Sequence, residues 1–332
     1  MTADEAVNVA VVGLGYWGPN LARNFDSLPG SNLRWICDAS AAGRERWGPV
    51  FPRAKVAQSL DELLADPGLD AVVLATPVPS HADLAVRCLE AGKHVLVEKP
   101  MAQSVADAER VLAAAEHAGC VLMVGHLLEY HPGIVKLKQL ADGGELGELR
   151  YIYGNRLNLG KLRADENALW SLGAHDVSVL LYLTGEEPVE MHAFGADYMQ
   201  PGVEDLVFCF MRFPSGLVGH LHLSWLDPHK ERRFTIVGER RMATFDDMAS
   251  EGKLTIYDKG FDQHASNFGE YIQRSGDVVS PAIANTEPLS IECAHFLERV
   301  RDGGVPRSDG NVGLRVVRVL EGLQRSLRGG AL

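Results

Sequence analysis

A lysine closes the stretch HVLVEKP, His94 to Pro100, where a run of apolar residues stops. An amine at a crevice edge is partly desolvated, which lowers its pKa and suits it to proton transfer. A lysine simply solvated at a strand end is the plainer alternative. Pro100 fixes the direction of the chain after Lys99, through a trans or a cis bond. Glu98 either orients the lysine or closes the strand.

A second set of residues lies in GLGYWG, where Gly13, Gly15 and Gly18 have G-x-G-x-x-G spacing. The first glycine permits a tight turn and the second lets a pyrophosphate approach the backbone. The third lets strand and helix pack closely, with the helix N-terminus facing the phosphates. Tyr16 and Trp17 belong to the same turn. Asp38 lies 20 residues past Gly18, at the end of a second apolar run. A carboxylate there accepts hydrogen bonds from both ribose hydroxyls of NAD and repels a 2′-phosphate, so NAD is expected over NADP. In ATPVPSH, Thr76 and Pro77 fall under the nicotinamide half of the dinucleotide. His81 opens the next helix, as a cofactor contact or as a cap. Glu98 and Lys99 complete the expected cofactor contacts.

The second half concentrates its chemistry between Asn158 and Gly185. His175 stands in the first turn of a helix with an apolar body, where the dipole lowers its pKa and leaves it able to accept a proton. In the preceding loop, Arg156, Lys161 and Arg163 offer charges for phosphate, and Asn158 and Asn167 offer amides for sugar hydroxyls or an acetamido group. Trp170 and Asp176 join this candidate substrate set; an ordinary solvated loop is the alternative. His220 and His222 share one face of a strictly alternating stretch, but two ligands without an evident third predict no metal site. The five cysteines are scattered with no C-x-x-C pair, the pattern of free thiols in a reducing cytoplasm.

These residues need a scaffold. The 332 residues suggest two domains, and a net charge of -12 argues against sequence-independent nucleic-acid binding. The acidic start, MTADEAVNVAVVGLG, is unlike a signal peptide, and no apolar run is long enough to span a membrane. A cytoplasmic protein is expected. Apolar strand patterns at Asn8 to Gly13, Leu33 to Asp38, Asp70 to Thr76, His94 to Glu98 and Val121 to Gly125 alternate with helices. That alternation predicts a doubly wound parallel α/β sheet over residues 1–125. From Leu149 to Asp247 six alternating segments predict an α+β domain with a large, mostly antiparallel open sheet, over residues 126–305. Helices are expected at about Pro288 to Asp302 and Gly310 to Leu327.

With GLGYWG, ATPVPSH and VEKP in this order, the chain resembles the Gfo/Idh/MocA family of sugar and cyclitol oxidoreductases over essentially its whole length. The resemblance implies a Rossmann domain, a C-terminal helix (about 310–328) that returns to it, and an open sheet face that makes homodimers or homotetramers. It also implies that Lys99 lies beside the nicotinamide and the reacting hydroxyl, and that His175 reaches the same hydroxyl. The family's D-x-G-x-H-x-x-D pattern reads SLGAHDVS here: Gly173 and His175 match, while Ser171 and Ser178 replace the acids. Asp176 points about 100° away from His175 on a helix and is not a simple substitute. The combination GYWGPN, DENALW and HD resembles members acting at C3 of nucleotide-activated amino sugars. The alternatives are an inositol, cyclitol or free-sugar dehydrogenase, an NADP-dependent ketoreductase on a deoxysugar nucleotide, and an idle NAD-binding sensor or scaffold.

Overall fold

The computed structural model describes residues 6–164, 166–263 and 271–329. The chain divides into two units, Met1–Tyr130 with Thr286–Arg318, and His131–Asn285 with Val319–Leu332.

In the first unit, strands β1 (Val7–Val12), β2 (Ser31–Cys37), β3 (Lys55–Ala57), β4 (Ala71–Leu74), β5 (His94–Glu98) and β6 (Leu122–Gly125) form one sheet. All pairs are parallel, in the order β3-β2-β1-β4-β5-β6. Helices α1 (Gly18–Ser27), α2 (Ala41–Trp47), α3 (Leu60–Leu64), α4 (His81–Glu90) and α5 (Val105–Ala118) connect the strands. β4 and β6 are buried along their whole length, as strands covered on both faces must be. α5 shows why a helix starts and stops where it does. Ser104 Oγ accepts from the Asp107 amide at 3.1 Å, and Gly119 ends the helix in the left-handed region at φ 63. Strand order reverses between β1 and β4, so the chain leaves the sheet in opposite directions there and opens a crevice at the carboxyl ends.

The second unit opens with α6 (Pro132–Asp142) and β7 (Leu149–Leu159), then a π-helical turn (Leu169–Gly173) and α7 (Ala174–Thr184). β8 (Glu190–Ala196), β9 (Leu206–Arg212), β10 (Val218–Ser224), β11 (Leu226–Gly238), β12 (Met242–Asp246), β13 (Leu254–Gln263) and β14 (Tyr271–Val279) follow. The eight strands run β14-β13-β12-β11-β7-β10-β9-β8, antiparallel except for β7 with β10. One face is buried through Ile152, Leu221, Leu223 and Ile236. The other is half-exposed and aromatic: Phe208 stacks on His222 with centroids 4.4 Å apart, and Phe210 lies 4.9 Å from His220.

Two helices depart from the sequence expectation. α8 (Pro288–Asp302), expected within 126–305, belongs to the first unit. Its stripe of Leu289, Cys293, Phe296 and Leu297 enters the core built on β1 and α1, with Phe296 edge-on to Phe25. α9 (Gly310–Gly329) divides at residue 318: its first part lies with the first unit and its remainder with the second. Gly310 and Gly313 let the first part approach β6, because a Cβ would come within 2.6 Å of Leu122 and 2.7 Å of Val124. Among the described residues no helix is long and apolar enough to cross a membrane, and no group of three or more His, Cys, Asp or Glu could hold a metal. The cysteines are free.

Candidate active site

β1 runs into the glycine turn. Gly13 adopts φ +93, and a Cβ there would lie 2.7 Å from the Ala75 backbone, so no larger residue fits against the end of β4. A Cβ on Gly18 would fall 1.8 Å from the Gly13 carbonyl oxygen. At Gly15 it would meet nothing within 4 Å, leaving this backbone open to a ligand. Tyr16 beside it is 92% exposed and Trp17 is half-buried.

Asp38, just past β2, is pinned to the turn. Its carboxylate accepts from the Leu14 amide at 2.6 Å and from the Ser40 amide at 2.7 Å. The nearby cation, Arg44, donates through Nη1 to the carbonyls of Asp38 and Ala39.

Past β4, Thr76 Oγ1 accepts from Ser80 Oγ, and Pro77 leads into α4. His81 is buried, with Nδ1 2.9 Å from the Pro100 carbonyl and Nε2 2.8 Å from the Thr76 carbonyl. The ring therefore braces the ends of β4 and β5 against each other, a role that the two sequence alternatives, cofactor contact and helix cap, did not include.

β5 ends on Glu98 and Lys99, and the Lys99–Pro100 peptide is cis. The Lys99 amide donates to Glu98 Oε2 at 3.2 Å. Burial raises the Glu98 carboxyl to about 7, opposed by the Lys99 charge, the Lys99 amide and a hydrogen bond from Trp17. His126, just past β6, is buried, and neither ring nitrogen has a hydrogen-bond partner among the described residues. Burial first, then the Lys99 charge, pushes it down to about 3, so it is neutral at physiological pH. Sequence reasoning missed His126, although the strand-end argument that selected Lys99 applies equally to the residue after β6.

In the second unit, His175 occupies the first turn of α7, and its carbonyl accepts from Ser178 Oγ at 2.9 Å. Asp176 and Arg156 are both buried and form a two-point pair, Nε to Oδ2 at 2.7 Å and Nη2 to Oδ1 at 2.9 Å. The guanidinium considered for phosphate thus ties β7 to α7. Asn167 donates to Glu204 and, at 2.8 Å, to Gln324 Oε1; the Trp170 indole donates to the same oxygen at 3.1 Å. These two side chains anchor the loop to α9. Arg163 is half-exposed and pairs with Glu166 at 2.7 Å, while Asn158 is half-buried and Lys161 exposed.

A family model described as an oxidoreductase family with an NAD-binding Rossmann fold matches residues 7–126, and the Gfo/Idh/MocA C-terminal domain matches residues 134–244. The chain belongs to the Gfo/Idh/MocA oxidoreductase family. It is 31% identical over 257 residues to the UDP-N-acetylglucosamine 3-dehydrogenase of Acidithiobacillus ferrooxidans, covering 76% of this chain and 78% of that one. The solved structure of that enzyme superposes with a TM-score of 0.82 at 26% identity, covering 98% of each chain. The NAD(+)-dependent scyllo-inositol 2-dehydrogenase of Bacillus subtilis is 25% identical over 316 residues, 91% of this chain and 89% of that one. GenD2 from gentamicin A biosynthesis, solved in complex with NAD, matches with a TM-score of 0.84 at 27% identity, over 98% of this chain and 95% of that one.

NAD is the cofactor of this Gfo/Idh/MocA protein, and its first unit fits the dinucleotide. Gly13 and Gly18 close the turn; the open backbone at Gly15 would take the pyrophosphate, and the Asp38 carboxylate, oriented by two amides, would take the ribose hydroxyls. The protein is a dehydrogenase acting on CH–OH groups, as its inositol and UDP-N-acetylglucosamine dehydrogenase relatives are, and Lys99 directly follows β5.

Proposed function

We propose that the protein oxidises a ring hydroxyl, at C3, of a nucleotide-activated amino sugar. The observation that carries the proposal is Lys99 at the carboxyl end of β5, one strand from the glycine turn's neighbour β4, with Glu98 and a neutral His126 in its electrostatic surroundings. The likeness to a UDP-N-acetylglucosamine 3-dehydrogenase supports the substrate class. Bound NAD supplies the hydride acceptor. Lys99 takes the hydroxyl proton at Nζ, and His175 is the second proton-handling group. Glu98 tempers the charge on Lys99. Asn158 and Arg163 contact the sugar and the phosphates, whereas Arg156, Asn167, Trp170 and Asp176 hold the shape of the segment that presents them.

The test is turnover with NAD of a panel of UDP-sugars and inositols, together with thermal shifts by UDP alone. The proposal expects oxidation of a UDP-amino sugar and a raised Tm with UDP. Oxidation of inositols only, with no UDP effect, selects the cyclitol reading, which the full-length likeness to the scyllo-inositol enzyme favours. NAD binding without turnover of any substrate selects a sensor or scaffold.

The half-exposed face of the second unit's sheet further supports a homodimer or homotetramer. It carries Tyr151, Phe194, Phe210 and Val218, each between 42% and 50% exposed, an apolar patch of the kind used for association.

A further inference from the structure

Gln324 lies in the part of α9 that belongs to the second unit, beside the fully buried Leu320 and Leu323. It is only 8% exposed. Its Oε1 accepts from Asn167 Nδ2 at 2.8 Å and from the Trp170 indole at 3.1 Å, which uses both lone pairs of the oxygen. Two N–H donors at one end of the amide fix that end as oxygen. The other end, Nε2, is buried with no hydrogen-bond partner among the described residues. An unmet buried donor is costly, and an apolar residue on the same stripe of the helix would avoid it. Stability alone therefore does not account for a glutamine at this position.

The two bonds act on one piece of backbone. Asn167 Nδ2 faces a second acceptor, Glu204 Oε2, at 2.5 Å. With acceptors at its nitrogen end, Asn167 turns Oδ1 the other way, where it accepts from the Trp170 backbone amide at 3.1 Å. The Asn167 carbonyl accepts from the Ser171 amide at 3.0 Å. Asn167 thus supplies acceptors to two amides in the opening turn of the π-helix (Leu169–Gly173), groups that have no partner within the helix itself. A π-helical turn is an uncommon backbone that its surroundings must hold, and this one runs directly into α7, whose second residue is His175. Gln324 reaches the turn twice, through the Asn167 side chain and through the Trp170 ring.

We propose that Gln324 is a positioning residue for the reaction: by fixing Asn167 and Trp170 from α9, it sets the π-helical turn that presents His175. The proposal rests on His175 being the second proton-handling group. The segment has other fastenings that Gln324 does not touch. The Ala168 amide donates to the Glu204 carbonyl at 2.8 Å, and Gln200 donates to the Arg163 carbonyl at 3.2 Å. These keep the chain folded when Gln324 is replaced. What is lost is the orientation of the Asn167 amide and the Trp170 indole, and with it the aim of the turn. A displacement of about 1 Å at a proton-handling group costs up to about 100-fold in rate.

Two variants of the NAD-saturated protein test this, on the substrate that the wild type turns over from the panel of UDP-sugars and inositols. Gln324→Leu removes the acceptor, and Gln324→Glu restores an accepting oxygen. In Gln324→Leu, kcat/KM should fall about 10- to 100-fold while the Kd for NAD is unchanged; Gln324→Glu should recover to within about threefold of the wild type. The ¹⁵N-labelled indole resonance that Trp170→Phe removes should shift in Gln324→Leu and return in Gln324→Glu. In a His175→Ala background, Gln324→Leu should cost little more, because both changes remove the same contribution. Turnover within about twofold of the wild type in Gln324→Leu overturns the proposal, as does an indole resonance that stays put, or a Gln324→Glu as impaired as Gln324→Leu. If His175→Ala keeps wild-type turnover while Gln324→Leu loses it and shifts the indole, the role given to His175 has failed and Gln324 stands as the positioning residue of the segment.

Discussion

At Gly18 an added Cβ would fall 1.8 Å from the Gly13 carbonyl oxygen, whereas at Gly15 it would meet nothing within 4 Å. Gly18→Ala should therefore lower Tm markedly, because backbone must move. Gly15→Ala should keep the wild-type Tm yet bind NAD about tenfold more weakly or worse, as calorimetry would show, because the added methyl occupies the approach of the pyrophosphate. Equal losses of Tm in both variants would contradict this division. Glu129 offers a prediction in pH. Its carboxyl is raised from 4.5 to about 8 in the folded protein, so above 4.5 the folded state binds more protons than the unfolded one. Its contribution is fully present below pH 4.5 and is lost as pH rises through 8, at up to about 1.4 kcal/mol per pH unit. Denaturant unfolding between pH 6.5 and 8 should show stability falling with pH, and Glu129→Gln should flatten that slope. A wild-type slope that the variant leaves unchanged would rule Glu129 out as its source.

At the scale of elements, the buried Arg156–Asp176 fork joins β7 to the first turn of α7, next to His175. Asp176→Asn leaves a buried guanidinium short of its counter-charge, and should cost about 3–5 kcal/mol in urea unfolding. Replacing both partners by apolar residues should recover much of that loss. A cost below about 1 kcal/mol for the single variant would show that the pair is not holding the two elements. The fork also shows where the sequence was hard to read. Periodicity revealed β1, β4, β5 and β6 because a fully covered strand is apolar throughout, and it revealed α8 to the residue. It did not reveal α2, α3 or β3, which are short, nor β13, nor β14, which is exposed on both faces and lacks alternation. Lys99 and the glycine turn were legible because local spacing marks them. The pairing of Arg156 with Asp176, 20 residues apart, depends on tertiary packing that no local pattern encodes.

For the whole molecule, the aromatic and histidine-bearing sheet face predicts association. Light scattering should give a dimer or tetramer, and Phe210→Glu should shift it toward monomers without abolishing NAD binding; a monomeric wild type would contradict the assignment of this face. The central claim is that Lys99 takes the proton of a sugar hydroxyl while NAD accepts the hydride. Its most direct test compares kcat/KM for UDP-N-acetylglucosamine with NAD in the wild type and in Lys99→Met, with the Kd for NAD measured alongside. The account predicts a fall of about 10²–10⁴-fold in kcat/KM and little change in Kd. Turnover within a few-fold of the wild type would contradict it.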